Sequence, residues 1–338
     1  MNLNQKIKNN IQSEHLFHRG DTVIVGVSGG SDSVALLHLL YDLRHELGIT
    51  LHVAHYNHNL RRSAKTDQRF VEGLAQKLSL PYHTAIWNHP PSQSSKGSLE
   101  ELARNQRLKF FSNLVKKNPS WKIALAHTQD DLAETVLMRI LRGTGLQGLR
   151  SILPQTTLNG LTVIRPLLEI SKNEILDYLK KHHLKFRQDP MNKDVNFFRN
   201  KIRLQLLPLL TKEYNPNIQE VLANLSKTMT VDYQYLRQEA EKQFHFLARS
   251  STVKKIEFDL KKFQSSHPAL QRMMIRLAIE RLQGNTNQFT LMHIQKIQKL
   301  IETKHPMPTT LSLPKGIHCQ RKEKRLIFSL AHDNFKGL

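Results

Sequence analysis

The stretch Val23-Ile24-Val25-Gly26-Val27-Ser28-Gly29-Gly30-Ser31-Asp32-Ser33-Val34-Ala35-Leu36-Leu37 decides the fold. An apolar run with no polar alternation reads as a strand covered on both faces. Small residues then make a loop, and a second apolar run opens a helix. Strand, loop and helix in that order aim backbone N–H groups and a helix N-terminus at one point, where a phosphate chain is held. Glycines let the backbone approach the anion, and serines add hydroxyl donors. No lysine follows the loop, so the Gly-x-x-x-x-Gly-Lys-Ser/Thr pattern does not apply. Asp32 stands inside the anion site instead. A carboxylate beside a polyphosphate calls for a bridging cation, and Mg²⁺, which binds one or two carboxylates plus substrate phosphates, suits it. Ser28, Gly29, Gly30, Ser31, Asp32 and Ser33 are thus candidate phosphate-binding residues, with Asp32 the metal candidate.

Outward from this stretch the chain alternates strands and helices. Strands are expected at 21–27, 50–55, 82–87 and 122–126, and helices at 33–46, 66–78, 99–117 and 130–141. Such alternation implies right-handed βαβ units and a mostly parallel, doubly wound α/β sheet. Ligands of these sheets bind beyond the carboxyl ends of the strands. A capping box at Ser171 and Glu174 starts a further helix to 182. Residues 196–210 form a basic amphipathic stretch. The Tyr214-Asn215-Pro216 region reads as a boundary. It separates a catalytic domain, 1–214, from a smaller helical or α+β domain, 215–338. In that second domain helices are expected at 218–247 and 268–282. Short strands, 310–313 and 325–330, are expected to flank a Pro-Lys-Gly turn.

The net charge is +22 over 338 residues. A field this positive favours polyanionic partners. Residues 1–150 hold 19 basic against 12 acidic side chains, and 151–338 hold 31 against 16, so the later part is the expected docking surface. A mean hydropathy of −0.46 and the lack of a long apolar run argue against a membrane span. The polar start, Met1–Asn10, lacks the apolar segment of a signal peptide. One cysteine, Cys319, excludes an internal disulfide or a Cys-x-x-Cys site. A cytoplasmic location is expected.

Further candidates follow the other strands. His55-Tyr56-Asn57-His58-Asn59-Leu60-Arg61 places imidazole, amide and guanidinium groups where a nucleotide would lie. His55 and Asn57 are nucleotide candidates; a His-x-x-His metal pair at 55 and 58 is the weaker alternative. Asp130, Asp131 and Glu134 crowd the first turn of one helix, which marks a cation or amine ligand unless they merely cap it. Arg104 and Arg107 share a helix face and could reach an α-phosphate or RNA. The Gly-x-Gly-x-x-Gly at 143–148 follows a helix, not a strand, so it lacks the context of a dinucleotide site.

Together these segments resemble the tRNA(Ile)-lysidine synthases, members of the PP-loop ATP pyrophosphatase superfamily. The resemblance is carried by 28–33, His55 to Arg61, Glu-Glu-Leu-Ala-Arg at 100–104 and Asp-Asp-Leu-Ala-Glu-Thr at 130–135. Arg-Gly-Thr-Gly-Leu-Gln-Gly-Leu at 142–149 and Arg-Asn-Lys-Ile-Arg at 199–203 complete it. Leu132 and Thr128 depart from the family's usual Gln and His. The length suggests the family's short form. The resemblance implies that ATP adenylates the C2 oxygen of cytidine 34 in the CAU anticodon of tRNA(Ile). The ε-amine of free L-lysine then displaces AMP. It further implies catalytic roles for Asp32, Asp131, Glu134 and Arg104. Arg199 or Arg203 would hold the lysine carboxylate, and Glu134 would take its amine. Arg61, Arg107, Arg142 and Lys201 would contact RNA. Expected partners are the tRNA and lysine, with a homodimer left open. A PP-loop thiolase would need a cysteine near the site. A catalytically dead RNA-binding module would leave Asp32 and the 130–134 acids unexplained.

Overall fold

A computed structural model describes residues 2–60, 63–91, 96–158, 160–188, 194–286, 288–303 and 309–330. The chain divides into two compact units, Met1–Met229 and Thr230–Leu338. The division lies 15 residues past the expected 214/215 boundary, inside a helix of 30 residues, Ile218–Leu247 (α10). The Asn-Pro turn that suggested the boundary immediately precedes that helix.

The first unit is built on a six-stranded sheet. Its elements are α1 (Leu3–Ser13), β1 (Thr22–Gly26), α2 (Ser31–Leu47), β2 (Thr50–Asn57), α3 (Ala64–Lys77), β3 (Tyr82–Ile86), α4 (Lys96–Lys116) and β4 (Lys122–Ala124). There follow α5 (Gln129–Leu141), α6 (Leu146–Leu149), β5 (Gln155–Leu158), β6 (Leu161–Ile164) and α7 (Lys172–Lys181). The strand order is β3-β2-β1-β4-β6-β5. β1 pairs in parallel with both β2 and β4, and only the edge strand β5 runs antiparallel. The chain winds outward from β1 to β3 and then crosses to β4, so the strand order reverses between β1 and β4. Crevices at such switch points receive ligands.

The apolar reading of β1 holds: Val23, Ile24 and Val25 are fully buried. Behind them α2 buries Val34, Ala35, Leu36, Leu37, Leu39, Leu40 and Leu43 against the sheet. Gly48, at φ +66°, ends α2 in the left-handed conformation that glycine adopts without strain. In this unit α1, α6 and the β5–β6 hairpin escaped the sequence reading. Helix α1 presents an apolar stripe of only Leu3, Ile7 and Ile11, of which the last two are buried. The β5–β6 hairpin has a half-polar edge strand, Gln-Thr-Thr-Leu, with no alternation to announce it.

After α7 the basic stretch forms one nearly continuous helix. It comprises α8 (Phe198–Lys201), a π-helical turn (Ile202–Leu206) and α9 (Leu207–Glu213). Pro208 sits in the first turn of α9, where its missing N–H costs little, so the helix runs on past it.

The second unit has an antiparallel sheet ordered β7-β8-β11-β10-β9. Its strands are β7 (Ala248–Ser251), β8 (Lys255–Asp259), β9 (Thr309–Leu313), β10 (Ile317–Lys322) and β11 (Arg325–Leu330). Helices α11 (Leu260–Ser265), α12 (Pro268–Gln283) and α13 (Leu291–Glu302) join it. Its core gathers Phe244, Phe258, Phe263 and Phe328 with Met274, Ile275 and Ile279. The expected α+β character is observed, with β7, β8 and β10 in addition to the two strands anticipated.

Candidate active site

A cavity of about 860 Å³ opens at the switch point. It is lined by the 26–33 loop, by residues 54–60 at the end of β2 and just beyond it, and by Leu125–His127 after β4. The phosphate loop is self-braced. The Ser28 N–H donates to Ser33 Oγ at 3.2 Å, and the Ser33 hydroxyl donates to the Gly30 carbonyl at 2.9 Å. Ser33 therefore holds the loop's shape. Gly29, at φ +92°, needs glycine. Gly30 is the N-cap of α2 and has no side chain to satisfy the first-turn N–H groups, which leaves them to a ligand.

A lysine does reach this loop, from 140 residues away. Lys172, the first residue of α7, donates from Nζ to Ser31 Oγ at 2.7 Å and forms an ion pair with Asp32. Sequence reading missed it because spacing along the chain carries no sign of the encounter. A second missed residue is Arg187. Its N–H donates to the Gly29 carbonyl at 2.8 Å, and its Nε to Asp67 at 3.1 Å, so it fastens the loop to α3.

The three acids of α5 divide into different tasks. Asp130 accepts the backbone N–H of Lys172 at 2.7 Å and so points away from the other two. Burial raises its pKa. Asp131 closes a capping box with Thr128, the departure from the family pattern. Asp131 and Glu134 together face Arg199 and Arg203. Arg199 donates to both acids at 2.8 Å, and Arg203 Nη2 donates to Asp131 at 3.2 Å and to Glu134 at 3.0 Å. Glu134 is 1% exposed. Burial would raise the Asp131 pKa, but Arg199, the Thr128 N–H and Arg203 outweigh it and hold the carboxyl below its ordinary range. Burial would likewise depress Arg203, and Glu134 with Asp131 instead raise it. The π-helical turn bearing Arg203 brings it to the same acids as Arg199; such turns are frequent at functional sites.

Around the rim, Arg107, His58 and His127 line the cavity, and Arg107 Nε, His58 Nδ1 and His127 Nδ1 have no hydrogen-bond partner. Burial keeps both imidazoles neutral, His58 down at about 4 and His127 at about 3. Burial and the neighbouring Arg104 also lower the Arg107 pKa. Of the two arginines offered for the α-phosphate, Arg107 lines the cavity and Arg104 is not among its lining residues. His55 lines it too, with Nδ1 against the Val27 carbonyl at 2.8 Å. Asn57 lines the cavity as well, and it also supports the loop that follows β2. Its amide donates to Gln68 at 2.9 Å and its Oδ1 accepts the Asn59 N–H at 2.8 Å. Arg142 lies over the Phe198 ring at 5.0 Å, and Lys201 is exposed. Arg61 lies outside the described residues.

Among the described residues no group of three or more His, Cys, Asp or Glu side chains could hold a metal. Mg²⁺ does not need such a group. One carboxylate beside a phosphate cradle suffices when the substrate supplies the remaining oxygens, and Asp32 fits that donor set.

A strand, a Ser-Gly-Gly-Ser-Asp-Ser loop and a helix at the switch point of a parallel sheet define a PP-loop ATP-using enzyme. Comparison with known proteins agrees. A PP-loop domain model matches residues 1–210, and a TilS substrate binding domain model matches 258–327. A tRNA(Ile)-lysidine synthase of Clostridioides difficile is 34% identical over 326 residues, 96% of this chain and 70% of that protein. One from Clostridium tetani is 37% identical over 87% of this chain and 62% of that protein. A bifunctional TilS/HprT protein of Listeria monocytogenes is 33% identical over 96% of this chain and half its own length. The fold is shared with the U34-tRNA thiolase NcsA of Methanococcus maripaludis, at TM-score 0.54, 16% identity and coverage of 67% of this chain and 78% of that one. That thiolase carries a [4Fe-4S] cluster, whereas the single cysteine here, Cys319, is buried in the second unit's core. The chain belongs to the tRNA(Ile)-lysidine synthase family, and its chemistry is ATP-dependent ligation. Among the described residues no helix is long and apolar enough to cross a membrane.

Proposed function

We propose that this chain joins free L-lysine to C2 of cytidine 34 in the CAU anticodon of tRNA(Ile). ATP is the adenylating substrate, and AMP and pyrophosphate are released. The C2 oxygen bonds the α-phosphorus and expels pyrophosphate, which the 28–33 loop and the α2 N-terminus hold. The lysine ε-amine then bonds C2 and expels AMP. Mg²⁺ on Asp32 would neutralise charge on the leaving pyrophosphate. Arg107 faces the same cavity and suits charge developing at the α-phosphate.

The observation that carries the reading is the Asp131–Glu134–Arg199–Arg203 cluster beside the nucleotide cavity. An amino acid's α-ammonium and α-carboxylate sit on adjoining atoms, and paired acids and guanidiniums match that head group. The expectation that Arg199 or Arg203 takes the carboxylate is kept. The expectation that Glu134 takes the ε-amine is revised. Four methylenes separate the two ends of lysine, too far for groups that bond each other directly. Glu134 and Asp131 are therefore assigned to the α-ammonium, which leaves the ε-amine to extend toward the adenylate. Arg142 and Lys201, both exposed, and the basic second unit suit an RNA loop and its phosphates.

Incubating the protein with ATP, Mg²⁺, labelled lysine and a CAU-anticodon tRNA(Ile) transcript tests this. Label is expected in the RNA, and replacing cytidine 34 should remove it. An unlabelled transcript beside an active control enzyme would reject the assignment.

A further inference from the structure

The phosphate loop has no lysine in its own sequence, yet the fold supplies one. Lys172 reaches it across the switch point. Its backbone is pinned at one strand end, where its N–H donates to Asp130 at 2.7 Å. Its ammonium is at another, against Ser31 Oγ and Asp32. Ser31, Asp32 and Lys172 all line the cavity.

Three features fix this placement. Helix α7 is started by the Ser171–Glu174 capping box, and Glu174 is tied to Lys6 of α1 at 2.7 Å. Tyr178, further along α7, donates to Asp42 of α2 at 3.3 Å. The two helices thus lie side by side with their first turns together, and both positive dipole ends face the cradle. Lys172 adds a full positive charge at that convergence. The Lys172 and Asp32 side chains are 37% and 31% exposed, and a pair that open adds little to stability. Its placement is explained by what enters the cavity.

We propose that Lys172 is the cation of the phosphate loop, a ligand for the terminal phosphates of the nucleotide. When the triphosphate enters, the Lys172 ammonium passes from Asp32 to the phosphate oxygens, and the Asp32 carboxylate is released toward the bound cation. Asp130 acts through Lys172 by holding its backbone. The proposal rests on the ATP reading of the cavity and names the residue that replaces the lysine missing from the loop.

The test measures binding to the full chain at fixed Mg²⁺ without tRNA, using α,β-methylene-ATP, pyrophosphate and adenosine as separate probes. Lys172→Met should weaken α,β-methylene-ATP and pyrophosphate by about tenfold or more and leave adenosine unchanged. Lys172→Arg, which keeps the charge, should retain most of the affinity. Wild-type affinity of Lys172→Met for pyrophosphate would overturn the proposal alone. Failure of the wild-type chain to bind α,β-methylene-ATP would overturn the nucleotide reading and this proposal with it. If Lys172→Met does not fold, amine acylation of the wild-type chain read by mass spectrometry decides. Pyrophosphate, against chloride at equal ionic strength, should slow labelling of Lys172 and not of the exposed Lys180. Equal labelling of Lys172 with and without pyrophosphate would overturn it.

Discussion

Two of the ion clusters in the first unit, Asp32–Lys172 and the α5 acids with their arginines, differ in burial, and burial separates what each can do. Asp32 and Lys172 form a single, half-open pair facing the cavity. Asp131, Glu134, Arg199 and Arg203 form a network in which Glu134 is almost wholly buried. In the open pair either charge can change partner at small cost, because water screens it. In the closed network each charge depends on the others, because losing one partner strands the rest in a medium that solvates them poorly. The first arrangement suits a site that trades cations with a nucleotide. The second suits a rigid template that admits a zwitterionic head group.

Removing one member of the closed network should have the largest effect on stability. Glu134→Ala leaves Arg199 and Arg203 with only Asp131 and should destabilise the first unit by about 3–5 kcal/mol. Urea unfolding followed at Trp121, which lies in this unit, would measure it. Glu134→Gln, which keeps the shape, should cost less and should raise the KM for lysine more than it slows adenylation. Equal loss of both steps would count against the head-group assignment.

An intermediate effect is expected from pH. Burial holds the folded pKa of His58 at about 4 and of His127 at about 3, both below the ordinary 6.5. The unfolded chain therefore takes up protons below pH 6.5 that the folded chain refuses. Stability is full above that value and falls as the solution is acidified. Each histidine should contribute a loss on the order of 1–2 kcal/mol by pH 5. His58→Gln should flatten the fall between pH 7 and pH 5, and an unchanged slope would contradict the burial argument.

The smallest stability effect is expected at the open pair, where activity is nonetheless lost. Asp32→Asn should shift the unfolding free energy by no more than about 1 kcal/mol and abolish AMP formation. Near-normal turnover would remove Asp32 from the cation's donor set.

The same contrast explains what could be read in advance. The phosphate loop was legible because strand, glycines and helix are contiguous, and the βα alternation because buried parallel strands are apolar throughout. Helix α7 was legible from Ser171 and Glu174, whose capping box forms as expected. Lys172, one residue into that helix, was not, since its partner Asp32 is 140 residues away and only the sheet order joins them. The acids at 130, 131 and 134 were found as a cluster, but helical spacing cannot tell which of them turns to α7 and which to the arginines. Asn57, at a strand end, was found as a candidate and lines the cavity, but its bonds to Gln68 and Asn59 were not visible in the spacing. β10, His-Cys-Gln-Arg-Lys after its first isoleucine, hid behind its polar face, though Ile317 and Cys319 alternate inward. In each case local pattern was visible and tertiary partnership was not.

The account turns on where ATP breaks and what the break is coupled to. Supplying α- and γ-labelled ATP with labelled lysine and the CAU-anticodon transcript measures both at once. The predicted result is AMP and pyrophosphate in equal amounts, each matched by one lysine entering the RNA. Release of ADP and orthophosphate, or AMP formed with no lysine transferred, would contradict it.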